Sequence, residues 1–416
     1  MKKRLLLITS GFPYGETERS FLSEEVKHLA ATFDVTILAL DNGEPLLDPP
    51  AGIRRIVRYQ IPSFRESISI DMLADVFSLS TFFEVLRCLK GSRGISLADA
   101  FREILYFRFK AWVAKEQISK LMKEESIDIV YSYWCTGPAL AAVLLKKRHP
   151  HLKAVTRFHG MDLYEERTTI NRQPFRREIA AGADGLCFAC LYGLSYFKKR
   201  WGANCGEKMR LCYLGSTDRG LLEPQNSDVL RIVSCSNLVP LKQVELIIEG
   251  LANMPETVET EWNHFGDGEE REKLEALAVR QYKGKPNIKW KFHGFVPNAE
   301  LAEEYRKLSP DLFITTSSTE GGAPVSIQEV FSMGIPAIGT PIGGIPDLII
   351  DGQTGFLLPE RTEPAHVAEA IMCYRALPEE RKKQMRSAVR QHWSDKFDAV
   401  KNAADFTDYL LELVSS

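Results

Sequence analysis

Thr315-Thr316-Ser317-Ser318-Thr319-Glu320-Gly321-Gly322-Ala323-Pro324-Val325-Ser326-Ile327-Gln328-Glu329-Val330 is the stretch that decides the fold. It follows the apolar run Asp311-Leu312-Phe313-Ile314, short enough for a buried parallel strand, and enters an apolar segment closed by Gly334 as a helix C′ residue would close it. The pattern is strand, loop, helix. Two adjacent glycines bring no Cβ to the loop, so the N–H groups of Gly321, Gly322 and Ala323 can approach a ligand closely, while Pro324 presets φ for a first helical turn. Such amides, at the positive end of a helix dipole, make an anion site. Glu320 at the loop mouth and Glu329 further on can each accept hydroxyl hydrogen bonds. A ligand that is both phosphate and polyol is a nucleotide-sugar. A structural glycine turn between two solvated acids is the plainer reading of this loop taken alone.

Working outward, the chain repeats strand, loop and helix in two series. Arg4 to Thr9 is an apolar strand, Ser10-Gly11-Phe12-Pro13-Tyr14-Gly15 a glycine loop, Phe21 to Leu29 a helix, and Val35 to Leu40 a second buried strand. Ligands of such sheets sit at the carboxyl ends of strands. Gly15 is thereby placed near a phosphate, and Glu16 or Glu18 near an acceptor hydroxyl, with a turn glycine and surface acids as the alternative. Residues from about 61 to 125 are less regular, and Phe101, Ile104, Leu105, Tyr106, Phe107, Phe109 and Trp112 alternate there with Arg102, Arg108 and Lys110. That mixture suits a helix packed on its own domain with snorkelling cations, and also a membrane headgroup boundary. His159 follows the strand Ala154 to Phe158 and points toward the same cleft, with Arg157 as a companion for an anion.

The polar segment Thr217 to Asp228 reads as a linker. Beyond it, Leu230 to Ser236 opens the second series, and Lys242 heads the helix Val244 to Leu251, at a strand end where a diphosphate would lie. Gly266-Asp267-Gly268 lacks the third glycine of a dinucleotide fingerprint, which argues against NAD.

Four blocks in order resemble the sugar-donor signature of family 4 retaining glycosyltransferases. They are Glu320, Pro324, Ser326 and Glu329; Gly334 to Thr340; Gly343-Gly344-Ile345-Pro346-Asp347; and Asp351 to Phe356. The resemblance implies an α/β chain of the GT-B architecture, two Rossmann-like doubly wound domains facing across a cleft, at 1–220 and 221–395, with 396–416 a helix crossing back to the first. It implies that Glu320 contacts the sugar and Glu329 the ribose, that the Gly321, Gly322, Ala323, Pro324, Val325 and Ser326 stretch faces the donor, and that main chain near Phe295 and Val296 holds the base. His159-Gly160-Met161-Asp162 is similar to the family's first-domain motif, whose histidine lies near the sugar. Lys242 matches a diphosphate lysine, whereas Asn237 stands where an arginine is usual, leaving a charge for Arg157 to supply. The spacing between the glutamates is one residue longer than the family's.

At 416 residues the chain exceeds one core, and its formal charge of −2 gives no basic field for nucleic acid. Met1-Lys2-Lys3-Arg4 runs straight into a strand and no apolar run is long enough for a span, so a cytoplasmic location, reaching the inner face of the membrane, is expected. All eight cysteines are expected to be reduced and mostly buried. The reading is a retaining hexosyltransferase using a nucleotide-sugar, a UDP-sugar, on a glycan or lipid-linked acceptor, with no cofactor and no metal. His159, Glu320 and Lys242 are its catalytic candidates. A nucleotide-sugar epimerase, a phosphorylase or a catalytically silent nucleotide-sugar-binding subunit on the same architecture are the rivals.

Overall fold

The structure, a computed structural model, describes residues 2–16, 18–91, 96–225 and 227–415. The chain divides into two compact units, Met1–Tyr213 with Val400–Ser416, and Leu214–Ala399.

The first unit is built on seven strands: β1 (Arg4–Thr9), β2 (Asp34–Leu40), β3 (Arg55–Tyr59), β4 (Ile129–Ser132), β5 (Lys153–Phe158), β6 (Gly185–Phe188) and β7 (Met209–Leu211). All pairings are parallel, in the order β3-β2-β1-β4-β5-β6-β7. Leu5, Leu6, Leu7 and Ile8 are buried on both faces, which is why that strand reads as a continuous apolar run and not an alternation. The sheet order reverses direction between β1 and β4, and the loops leaving their carboxyl ends flank that crevice. The closing helix Ala399–Ser415 packs on this unit, setting Phe406 5.0 Å from Tyr131. Of the aromatic cluster, Ile104, Phe107 and Phe109 are buried and Arg108 pairs with Asp75 at 2.9 Å, but Phe101 and Tyr106 stand exposed.

The second unit holds β8 (Leu230–Cys235), β9 (Thr260–Phe265), β10 (Ile288–Phe292), β11 (Leu312–Thr315), β12 (Ala337–Gly339) and β13 (Gly355–Leu357). They too are all parallel, in the order β10-β9-β8-β11-β12-β13. This is the doubly wound order, with its switch point between β8 and β11.

The segment 217–228 is not a free linker. Leu222 N–H donates to the Met333 carbonyl at 3.1 Å, Arg386 donates to the Leu222 carbonyl, and Asp218 is gripped by Arg390 at 2.6 Å. Its polar composition serves these ties to the second unit. None of the eight cysteines forms a disulfide; six are buried, and Cys373 is exposed.

Candidate functional site

In the second unit the loops after β8 and β11 are sewn together at the switch point. Thr316 Oγ1 donates to the Gln243 carbonyl at 2.8 Å, and Ser318 N–H donates to the Leu241 carbonyl at 2.8 Å. The lysine loop is thereby fixed against the glutamate loop, and Lys242 Nζ meets Glu320 Oε1 at 2.5 Å. Both side chains retain an open edge, 26% and 13% exposed. An ammonium and a carboxylate share this strand-end crevice, each able to exchange its partner for a ligand group of opposite character.

The helix Val325–Ser332 begins directly after Pro324, and no side chain caps it. Its first N–H groups lack intrahelical partners, as in any helix, so they offer dipole and donors to an anion. The lengthened glycine pair is braced from behind. A Cβ at Gly343 would lie 2.4 Å from the Glu320 carbonyl, one at Gly344 2.4 Å from Ala323 N, and Gly344 N–H donates to the Gly322 carbonyl at 3.1 Å. The third sequence block thus shapes the loop, and its glycines are there because backbone runs against backbone. Gly266 and Gly268 have the same origin: a Cβ on either would strike Ser236 O or Leu238 O, at 1.9 and 2.4 Å. The fourth block is a structural turn, in which Gly352 N–H donates to the Gly355 carbonyl and a Cβ at Gly355 would meet Ala337 O at 1.8 Å.

Glu329 is 7% exposed, and its Oε1 already accepts from Arg219 at 2.9 Å and Asn298 at 2.7 Å. Arg219, within the segment taken for a linker, was not legible as a site residue; its partner lies 110 positions away. The second carboxylate oxygen of Glu329 remains for a hydroxyl. Asn237 is exposed at the end of β8, and Phe295 is 76% exposed beside half-buried Val296 after β10. Val325 and Ser326 occupy the first turn of the uncapped helix.

In the first unit Arg157 is not available to an anion. It is fully buried, donates to Glu25 Oε2 at 2.5 Å and lies 4.4 Å over the Phe406 ring, so the charge that Asn237 omits is not restored from there. Glu18 also departs from its expected role. It is 3% exposed and accepts from the N–H groups of Gly11 and Phe12 at 2.8 Å each, from Ser10 N–H at 3.2 Å, and from Trp134 Nε1 at 2.5 Å. The chain's own carboxylate fills the amide nest after β1. Gly15 adopts φ +70 and Glu16 is exposed.

His159 is half-buried, its ring 4.3 Å from Trp134 and 4.7 Å from Tyr133. Its Nε2 faces the Tyr133 carbonyl at 3.1 Å, so Nε2 carries the proton and Nδ1 presents a lone pair. Burial, with the Arg157 charge nearby, lowers its pKa to about 3, and the ring is neutral at physiological pH. Asp162 accepts from His159 N–H at 2.8 Å and from Cys135 N–H at 2.7 Å, tying the loops after β4 and β5. Beside them a cavity of about 420 Å³ is lined by Ser10, Tyr106, Lys110, Trp134 and Met161. Among the described residues, no group of three or more His, Cys, Asp or Glu is arranged to hold a metal ion.

Two parallel Rossmann-like units with these strand orders are those of the GT-B fold. Residues 223–392 match the family described as glycosyl transferases group 1. Relatives include an uncharacterized glycosyltransferase of Methanocaldococcus jannaschii, 24% identical over 61% of this chain and 66% of its own length. Another is the putative colanic acid biosynthesis glycosyltransferase WcaL of Salmonella typhimurium, 28% identical over 33% of this chain and 34% of its own. The chain thus spans less than two thirds of either relative. Among solved structures, HepE of Anabaena in complex with UDP superposes with a TM-score of 0.68 at 16% identity, covering 99% of this chain and all of that one.

Proposed function

We propose that the chain is a retaining glycosyltransferase. It moves a sugar from a nucleotide-sugar, a UDP-sugar, to a hydroxyl of a glycan or lipid-linked acceptor in the assembly of cell-surface polysaccharide, in the cytoplasm and in contact with the inner face of the membrane. The observation that carries this reading is the Lys242–Glu320 pair at the switch point of the second unit, beside an uncapped helix start. The UDP bound to HepE and the polysaccharide role in the name of WcaL support the same direction.

The chemistry follows from charge. Departure of a nucleoside diphosphate builds negative charge on its β-phosphate, and fixed donors aimed there lower the barrier. Lys242 turns from Glu320 to that phosphate, joined by the loop amides and the first N–H groups of the helix at Val325. Glu320, released, accepts from the sugar hydroxyls, and the unshared oxygen of Glu329 accepts from the ribose. His159 Nδ1 accepts from a sugar hydroxyl; being neutral, the ring orients and does not protonate. With retention, the acceptor oxygen bonds to the anomeric carbon on the face the phosphate leaves, and the acceptor's proton passes to the departing phosphate oxygen. The acceptor is assigned to the cavity beside Trp134 and Lys110.

A thermal-shift panel of UDP-, GDP- and ADP-sugars, followed by turnover with the stabilising compound and NMR of the product anomer, tests this. UDP-sugars should raise the melting temperature by mass action and the product should keep the donor's anomeric configuration. Absence of stabilisation by every nucleotide-sugar contradicts the reading.

A further inference from the structure

No described helix is long and apolar enough to cross a membrane, yet one face of the first unit is built for hydrocarbon. Phe77 and Ser78, the helix Leu79–Gly91 and the start of Leu97–Glu124 enclose a trough of about 800 Å³ walled by Phe77, Phe82, Val85, Leu86, Leu89 and Phe101. Among the described residues only two hydroxyls reach it, Ser78 and Thr81, and they bond each other at 3.1 Å. Along the helix Leu79–Gly91, residues Leu79, Phe82, Phe83, Leu86 and Leu89 recur at helical spacing, all between 37% and 77% exposed. Of the 24 large apolar side chains exposed among the described residues, 13 fall between positions 64 and 106, so this is a patch and not ordinary surface scatter.

Three of the described cations near the trough are paired locally: Arg87 with Glu84 at 3.3 Å, Arg102 with Asp99 at 3.0 Å and Arg108 with Asp75 at 2.9 Å. These three add little field for anionic partners. A protein interface carries about one hydrogen bond per 100–200 Å², and the trough lining offers only the mutually satisfied Ser78 and Thr81. A hydrocarbon layer asks for none.

We propose that this face docks on a lipid bilayer, inserting shallowly with lipid tails filling the trough. Phe101 and Leu105 line the trough, whereas Glu103, Tyr106 and Lys110 of the same helix line the polar cavity that holds Trp134. A membrane seated on the trough therefore lies about one helix diameter, roughly 10–12 Å, from the acceptor cavity. A lipid-linked acceptor could be met there without leaving the bilayer. The inference extends the membrane contact of the proposed function but stands on different residues.

Flotation of the full chain with phosphatidylcholine vesicles, with and without phosphatidylglycerol, is the test. The chain should float with both, the anionic lipid adding little. Phe82→Asp and Leu79→Asp, both at exposed positions, should each lower the bound fraction at least about tenfold with melting temperature and nucleotide-sugar stabilisation unchanged. A chain that stays unbound to both vesicles, binds only the anionic ones, or floats equally well as either variant overturns the proposal. So does a dimer in light scattering that Phe82→Asp dissolves while vesicles bind nothing, since a second copy would then be the occupant. A parent chain that binds no vesicles while nucleotide-sugars still stabilise it defeats this inference alone; a parent chain that binds vesicles but is stabilised by no nucleotide-sugar defeats the donor reading alone.

Discussion

The two units share one strand order, with a seventh strand added in the first, and fill equivalent switch points differently. Both place a loop after the first strand of a series against a loop after the fourth, at the crevice where doubly wound sheets bind ligands. In the first unit the amides of Ser10, Gly11 and Phe12 are already occupied by Glu18, a carboxylate supplied six to eight residues later. In the second, no side chain caps the helix at Val325, and Lys242 and Glu320 neutralise each other at the surface. One anion nest is sealed by its own chain while the other is kept for a guest. On the proposed function, the same fold gives a sugar-donor site in one half and a self-filled loop with an adjoining cavity in the other.

The contrast can be broken by substitution. The largest effect is expected for Glu18→Ala, which strands the buried amides of Gly11 and Phe12, the Ser10 amide and the Trp134 N–H. It should destabilise the protein by about 3 kcal/mol or more in denaturant melts, yet leave UDP-sugar affinity unchanged in the protein that remains folded. Next come Lys242→Ala and Glu320→Ala, each expected to cut turnover by about tenfold to a hundredfold with little change in stability. Parental rates in either would remove that residue from the chemistry. Gly344→Ala is expected to cost about 1–3 kcal/mol, because its Cβ meets Ala323 N at 2.4 Å, and to weaken nucleotide-sugar binding with it.

The smallest effect concerns His159. Its pKa in the folded chain, about 3, lies below the unfolded value near 6.5, so the unfolded state binds the extra proton between those values. Stability present above about pH 6.5 is lost as pH falls toward 3, and His159→Gln should flatten part of that slope in pH-dependent melts. For the same reason the pH–rate profile between 5 and 8 should carry no inflection that this substitution removes.

The fold was legible because buried parallel strands appear as unbroken apolar runs and their loops as glycine clusters. The Leu5 to Ile8 strand and the Glu320 loop could be placed from local pattern alone. What escaped was pairing at a distance. Arg157 finds Glu25 across 132 positions, so an arginine at a strand end looked like an anion binder when it is a buried partner. Arg219 reaches Glu329 from a segment whose polarity suggested a tether. Glu18 was a nearer miss: an acid shortly after a glycine loop is as consistent with closing that loop as with meeting a substrate. The glycines at 343, 344 and 355 carry the family's pattern, but their role is steric and becomes visible only when the backbone opposite each is known, whereas Gly352 faces open space and is set apart by its φ of +69.

Hydrogen–deuterium exchange with and without UDP addresses the central claim most directly. Protection should appear in residues 236–243 and 316–326 of the second unit, and be lost in Lys242→Ala at the same nucleotide concentration. Protection confined to residues 10–16 of the first unit, with the second unchanged, would contradict the account.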